Sequence, residues 1–94
     1  MNPVRSLSPW YVYVLQSEKT RKWYTGSTCD LRKRIATHNS GKNVSTKNGV
    51  PWKLVYYEYC LNKHDSRARE KYLKSGMGKR YLKNRLQFFF AEGF

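Results

Sequence analysis

The chain of 94 residues carries 19 Lys and Arg against 6 Asp and Glu, a formal charge of +13. That length allows one domain with a modest core, and 39% hydrophobic with 16% aromatic residues argues against a disordered chain. So large a charge opposes its own compaction and points to a polyanionic partner. Nucleic acid comes first, because no long apolar stretch or apolar helix face suits a membrane.

Cys29 and Cys60 form no C-x-x-C pair, and with His38 and His64 they match no familiar zinc-ligand spacing. They read as reduced thiols of a cytoplasmic protein. The opening MNPVRSLSPW lacks the apolar run of a secretory signal, which gives the same expectation.

Residues 1–9 read as an irregular lead-in, 10–86 as the folded domain and 87–94 as an aromatic tail. Tyr11–Leu15 has the β-branched and aromatic content of a strand, with Tyr11 and Tyr13 on one face and Val12 and Val14 on the other. A polar link, Ser17–Lys22, returns the chain as a second strand, Trp23–Gly26, and so short a link implies an antiparallel ribbon. Ser27, Thr28 and Asp30 can cap a helix over Leu31–Asn39, with Leu31 and Ile35 in an apolar stripe and Gly41 as its stop. Residues 40–50 form a polar loop, expected to be mobile and able to close on a ligand. Trp52–Tyr59, apolar on both faces, reads as the central strand or one covered on both sides. Asn62 or Asp65 caps a second helix that runs to about Ser75 and stops at Gly76, with Ala68, Tyr72 and Leu73 inward. A short basic helix, Lys79–Leu86, precedes LQFFFAEGF, either an exposed run or a strip packed on the sheet and able to seed a dimer. The order β-β-α-β-α-α predicts an α+β domain with a three-stranded sheet flanked by helices.

Tyr11-Val12-Tyr13, followed after Val14–Trp23 by Tyr24-Thr25-Gly26, resembles the two-part motif of the GIY-YIG nuclease superfamily. The likeness continues through Asp30–Arg34, His38–Gly41, Leu54–Glu58 and Ala68–Lys74, so it spans roughly residues 10–82. Within the superfamily the chain looks most like small single-domain bacterial proteins related to the N-terminal nuclease domain of UvrC, a component of the UvrABC excinuclease. Tyr11 stands where the motif has glycine, and Thr25 where it has isoleucine. The late asparagine of many such nucleases has no clear counterpart, Asn84 being nearest.

The resemblance implies metal-dependent cleavage of DNA, with RNA as the other candidate substrate, and a structure-directed or weakly sequence-specific action in repair or processing. Tyr13 would position or deprotonate the attacking water, Tyr24 would orient the water or the phosphate, and either His38 or the metal would relay a proton. Phosphodiester hydrolysis also needs a cation on the phosphate and compensation for the growing charge. Glu70 can hold Mg²⁺ or Mn²⁺, and Arg34 can fork onto the phosphate. Arg32, Lys33, Lys42, Lys47, Lys74, Lys79 and Arg80 can track the backbone, while Trp10, Trp23 and Trp52 are stacking candidates or core.

Each residue also has an ordinary reading. A strand tyrosine usually packs, a helix arginine is solvated, and His38 near a helix end meets the dipole. Glu70 and Lys74 form an i,i+4 pair worth about 0.3–0.5 kcal/mol, and Glu58 is a rival metal carboxylate. The ordered set weighs against reading them singly. The alternative function is a nucleic-acid binder of the same fold that cuts only with a targeting partner or not at all. The oligomeric state is open.

Overall fold

The computed structural model describes residues 9–94; of the lead-in expected over residues 1–9, all but Pro9 lies outside the described residues. Strands β1 (Trp10–Ser17) and β2 (Trp23–Thr28) form the hairpin, followed by α1 (Leu31–Asn39). A 3-10 turn (Lys47–Gly49) leads to β3 (Trp52–Cys60), and α2 (Lys63–Lys74), α3 (Gly76–Arg85) and α4 (Gln87–Ala91) complete the chain. The architecture is α+β, with a three-stranded antiparallel sheet between helices.

The strand order is β2-β1-β3, so β1 is central and β3 is an edge. Of the two readings of its apolar sequence the central position fails, while cover on both sides holds, with Leu54 packed on one face and Val55 and Tyr56 on the other. Every β1 residue from Val12 to Ser17 is buried, because helices cover the strand above and below. In β3, Tyr57 and Tyr59 remain 53% and 52% exposed. The two-sided apolar pattern of β3 has another cause. Val14 pairs Tyr56 and Leu15 pairs Leu54, leaving Val55 as an unpaired extra residue. Across this bulge the alternation slips, so Val55 and Tyr56 both pack on one side of the sheet.

One face of the sheet buries Tyr13, Leu15 and Trp52 against Leu31 and Ile35 of α1. The other buries Val12 and Val14 against Leu73 of α2 and Leu82 of α3. Each buried leucine contributes about 1.5–3 kcal/mol through removal of its surface from water.

Local chemistry sets the helix ends. Asp30 accepts from the Lys33 N–H at 3.0 Å, Asn62 accepts from the His64 N–H at 2.7 Å, and Gly41 turns the chain at φ 78°. Gly76 does not stop α2; it opens α3, earlier than expected at Lys79. Ser75 provides both the break and the restart, its Oγ donating to the Tyr72 carbonyl and accepting from the Gly78 N–H. A Cβ at Gly78 would collide with the Tyr72 carbonyl, so glycine lets α3 pack directly on α2.

Two further expectations change. Ala68 is exposed, while Tyr72 and Leu73 do face the core and are joined there by Ser66 and by Arg69, which is drawn in to bond Glu58. The 40–50 loop is tied down: Trp52 Nε1–H donates to the Thr46 carbonyl at 2.8 Å and Ser17 Oγ–H to the Gly49 carbonyl at 2.6 Å. The Asn39 carboxamide bonds both the N–H and the C=O of Trp52, joining the end of α1 to the start of β3. The aromatic tail is helical, with Phe90 stacked on Trp23 and Phe88 left 78% exposed. Among the described residues no helix is long and apolar enough to cross a membrane.

Candidate active site

Beside Gly26, at the outer edge of the sheet, a cleft of about 290 Å³ is lined by Tyr13, Tyr24, Ser27, Arg34, Arg67 and Glu70, among others. Four separate elements supply these side chains. β1 carries Tyr13 opposite Gly26 of β2, and a Cβ at Gly26 would sit 2.5 Å from the Tyr13 hydroxyl. The glycine is therefore what lets the phenol lie across the strand. Tyr24 is two residues back on the same face, its ring centroid 6.4 Å from that of Tyr13. Arg34 comes from α1, and Glu70 from α2 on the far side of β2.

His38 does not line this cleft. It is buried behind Tyr13, with Nε2 2.9 Å from the Tyr13 hydroxyl and Nδ1 2.9 Å from Thr46 Oγ1. Burial, reinforced by the Arg34 charge, lowers the His38 pKa below its ordinary 6.5, so the ring is neutral at pH 7. Neutral imidazole offers one acceptor and one donor, and Nε2 can take the Tyr13 hydroxyl proton in a bond while Nδ1–H is held by Thr46. Tyr13 itself is pushed up to about 12, by burial first and Tyr24 second, against the pull of Arg34. It is a neutral phenol across the physiological range.

Glu70 has one oxygen accepting from Ser27 Oγ–H at 2.7 Å and the other paired with Lys74 Nζ at 2.8 Å. Burial pushes its pKa up, but the bonds from Lys74 and Ser27 outweigh burial and leave it lowered, so the group is ionised. The rival carboxylate Glu58 is fully engaged elsewhere. Arg69 bonds both its oxygens at 2.8 Å and Tyr56 donates to one of them, on the sheet face away from Tyr13.

Among the described residues no group of three or more His, Cys, Asp or Glu converges, and the carboxylate that lines this cleft is that of Glu70. One ionised, partly buried carboxylate held by a serine fits Mg²⁺ or Mn²⁺, which keep several waters and take their remaining ligands from phosphate. It does not fit zinc, which needs three or four protein ligands.

Of the basic residues singled out in the sequence, Lys74 and Lys79 share a cleft with Trp23 and Tyr24, and Arg32 lies at another with Tyr11. Lys33, Lys42, Lys47 and Arg80 are exposed away from these clefts. Trp52 belongs to the core, while Trp10 lines the Tyr13 cleft. Three residues of the site, Arg67, Ser27 and Thr46, do not stand out by sequence pattern as the tyrosines do. Arg67 stands three residues before Glu70, a helical spacing that places both on one face. Ser27 reads by sequence only as a helix-cap candidate, and no sequence signal marks Thr46.

Two tyrosines, an arginine and a carboxylate thus meet around a glycine at one sheet edge, on an α+β fold that matches the GIY-YIG type. The family model described as the GIY-YIG catalytic domain matches residues 9–89, and the chain belongs to that family. A UPF0213 protein of Clostridium perfringens is 45% identical over 65 residues, covering 68% of this chain and 69% of that protein. One from Streptococcus pyogenes serotype M5 is 44% identical over 66 residues, covering 68% and 70%. The solution NMR structure of a UPF0213 protein from Bacillus halodurans superposes with a TM-score of 0.51 at 33% identity, covering 81% of this chain and 83% of that one.

Proposed function

We propose that this chain hydrolyses phosphodiester bonds in DNA at the Tyr13–Glu70 cleft. The observation that carries this reading is the meeting of Tyr13, Tyr24, Arg34 and Glu70 in one open cleft, from four elements, on a chain of charge +13. Glu70 would hold Mg²⁺ or Mn²⁺, which when bound polarises the phosphate and lowers the pKa of a water.

The chain's own residues supply the rest. Arg34, with Arg67 beside it, fixes the phosphate and offsets the charge that grows on its oxygens. Tyr24 orients the incoming water from the adjacent strand. Tyr13 takes a proton from that water as its own hydroxyl proton passes to Nε2 of His38, the acceptor behind it. This hand-over removes the need for a free phenolate, which a pKa of about 12 makes scarce. The water oxygen bonds to phosphorus, one phosphorus–oxygen ester bond breaks, and the departing sugar oxygen takes a proton from solvent at the open cleft. Ser27 and Thr46 are positioning residues, the first for Glu70 and the second for His38. Nothing in the cleft reads base edges, so cutting is structure-directed or weakly specific, in repair or processing of DNA.

The test is incubation of labelled single-stranded, duplex, flap and branched DNA with Mg²⁺ or Mn²⁺. Cleavage is expected for the wild type and for Glu58→Ala, and is expected to disappear in Glu70→Ala while salt-sensitive DNA binding remains. Binding without any cleavage by the wild type would favour a partner-dependent or non-cleaving binder. Activity that survives Glu70→Ala would overturn the metal assignment.

A further inference from the structure

Among the described residues β2 has no strand on its outer side, and clefts run along that edge beyond the site described above. The largest, about 680 Å³, lies between the β1–β2 turn and the α3–α4 segment and is lined by Arg21, Lys22, Trp23, Lys79, Lys83 and Phe90. Its floor is an aromatic pair, Trp23 and Phe90, stacked with centroids 5.4 Å apart and planes at 21°. Its rim is four exposed cations, and among the described residues none of them pairs with a carboxylate. A smaller cleft of about 190 Å³ shares Tyr24 with the Tyr13 cleft and Trp23 and Lys79 with the large one. The three make a track from Gly26 to Trp23, about 10 Å of strand, which matches about three stacked nucleotide steps.

Planar aromatic surface ringed by cations fits a ligand that is both flat-faced and anionic at regular intervals. A base within a duplex has both faces covered by its neighbours, whereas an unpaired base offers a free one. An acidic peptide would satisfy the cations and leave the aromatic floor without a partner.

We propose that the Trp23–Phe90 cleft stacks an unpaired base of the DNA strand whose phosphate lies at Tyr13 and Arg34, so that the ligand is DNA with a single-stranded segment. The position of that strand rests on the cleavage reading; the stacking contact does not.

The experiment measures equilibrium binding of the full chain in EDTA, where no cleavage intervenes, to a blunt duplex and to the same duplex with a short thymidine tail. Alanine replacement of a stacking aromatic typically costs a few-fold to about a hundredfold in affinity per base. The tailed duplex is therefore expected to bind more tightly by about five- to a hundredfold. Phe90→Ala should erase the preference and Phe90→Tyr should keep it. Thermal unfolding checks that both fold, which a half-buried site on the last helix favours. Lys79→Ser with Lys83→Ser, both exposed helix positions, should reduce the salt dependence of tail binding by about 1.4 in log–log slope, on the basis of about 0.7 per phosphate contact. Equal affinity for blunt and tailed duplex, a preference that survives Phe90→Ala, an unchanged salt slope, or displacement of the tail by polyglutamate at equal charge would each overturn the proposal. A protein that shows tail preference but never cuts sinks the cleavage reading and leaves this one standing; cutting without tail preference does the reverse.

Discussion

The two faces of the central strand are built on different chemistry. On the α2/α3 side, Val12 and Val14 meet Leu73 and Leu82, and a half-buried carboxylate, Glu58, is gripped by Arg69 and Tyr56. On the α1 side the same strand buries Tyr13 against a histidine that is itself bonded to a threonine. An aliphatic face needs only volume, while a buried hydroxyl–imidazole–hydroxyl chain needs every partner in place. The first face supplies stability. The second holds a phenol at one position on the edge of a cleft, and of the two carboxylates, each bonded through both oxygens, Glu70 is the one that lines that cleft.

That division is sharpest where a substitution should touch one side alone. Leu82→Ala, a fully buried truncation on the aliphatic face, is expected to cost about 2–5 kcal/mol in denaturant unfolding. The surviving folded fraction should still cut DNA at the wild-type rate. Gly26→Ala acts on the other face. Its new methyl would overlap the Tyr13 hydroxyl, and since that ring is wholly buried the hydroxyl itself must move off His38. A stability loss of about 1–3 kcal/mol is expected, with a fall in cleavage larger than that loss explains.

The smallest effect is on pH. The folded pKa of His38 lies below 6.5, so the unfolded chain binds that proton first and stability is lost as pH falls below about 6.5. Glu58 and Glu70, both lowered despite burial, add a further loss as pH falls below their ordinary 4.5. Melting temperature should therefore decline in two stages on acidification. His38→Gln should flatten the first stage.

Much of this architecture is legible in the residues. Asp30 and Gly41 bracket the first helix because capping is local, and the Tyr13, Tyr24, Arg34 and Glu70 set stands out by motif. Strand order is not local. Tyr11–Leu15 and Trp52–Tyr59 both carry apolar residues on both faces, and only the bulge at Val55 shows why β3 does so while lying at an edge. Gly76 resembles a stop signal, yet the Ser75 hydroxyl turns it into a helix start. Ser27 meets Glu70 across 43 positions of sequence, and Thr46 sits in a loop with no periodicity. Both contacts arise from packing, which single-residue chemistry does not encode.

The most direct measurement is the single-turnover cleavage rate of Tyr13→Phe against wild type under saturating Mg²⁺ or Mn²⁺. The ring and its packing are retained, and only the hydroxyl facing His38 is lost, so the variant should fold with a penalty of about 1–2 kcal/mol. If the Tyr13–His38 pair moves the proton, the rate falls by about a hundredfold or more, in line with the contribution of a positioned general base, while DNA affinity is kept. A rate within a few-fold of wild type would contradict the account and remove Tyr13 from the chemistry.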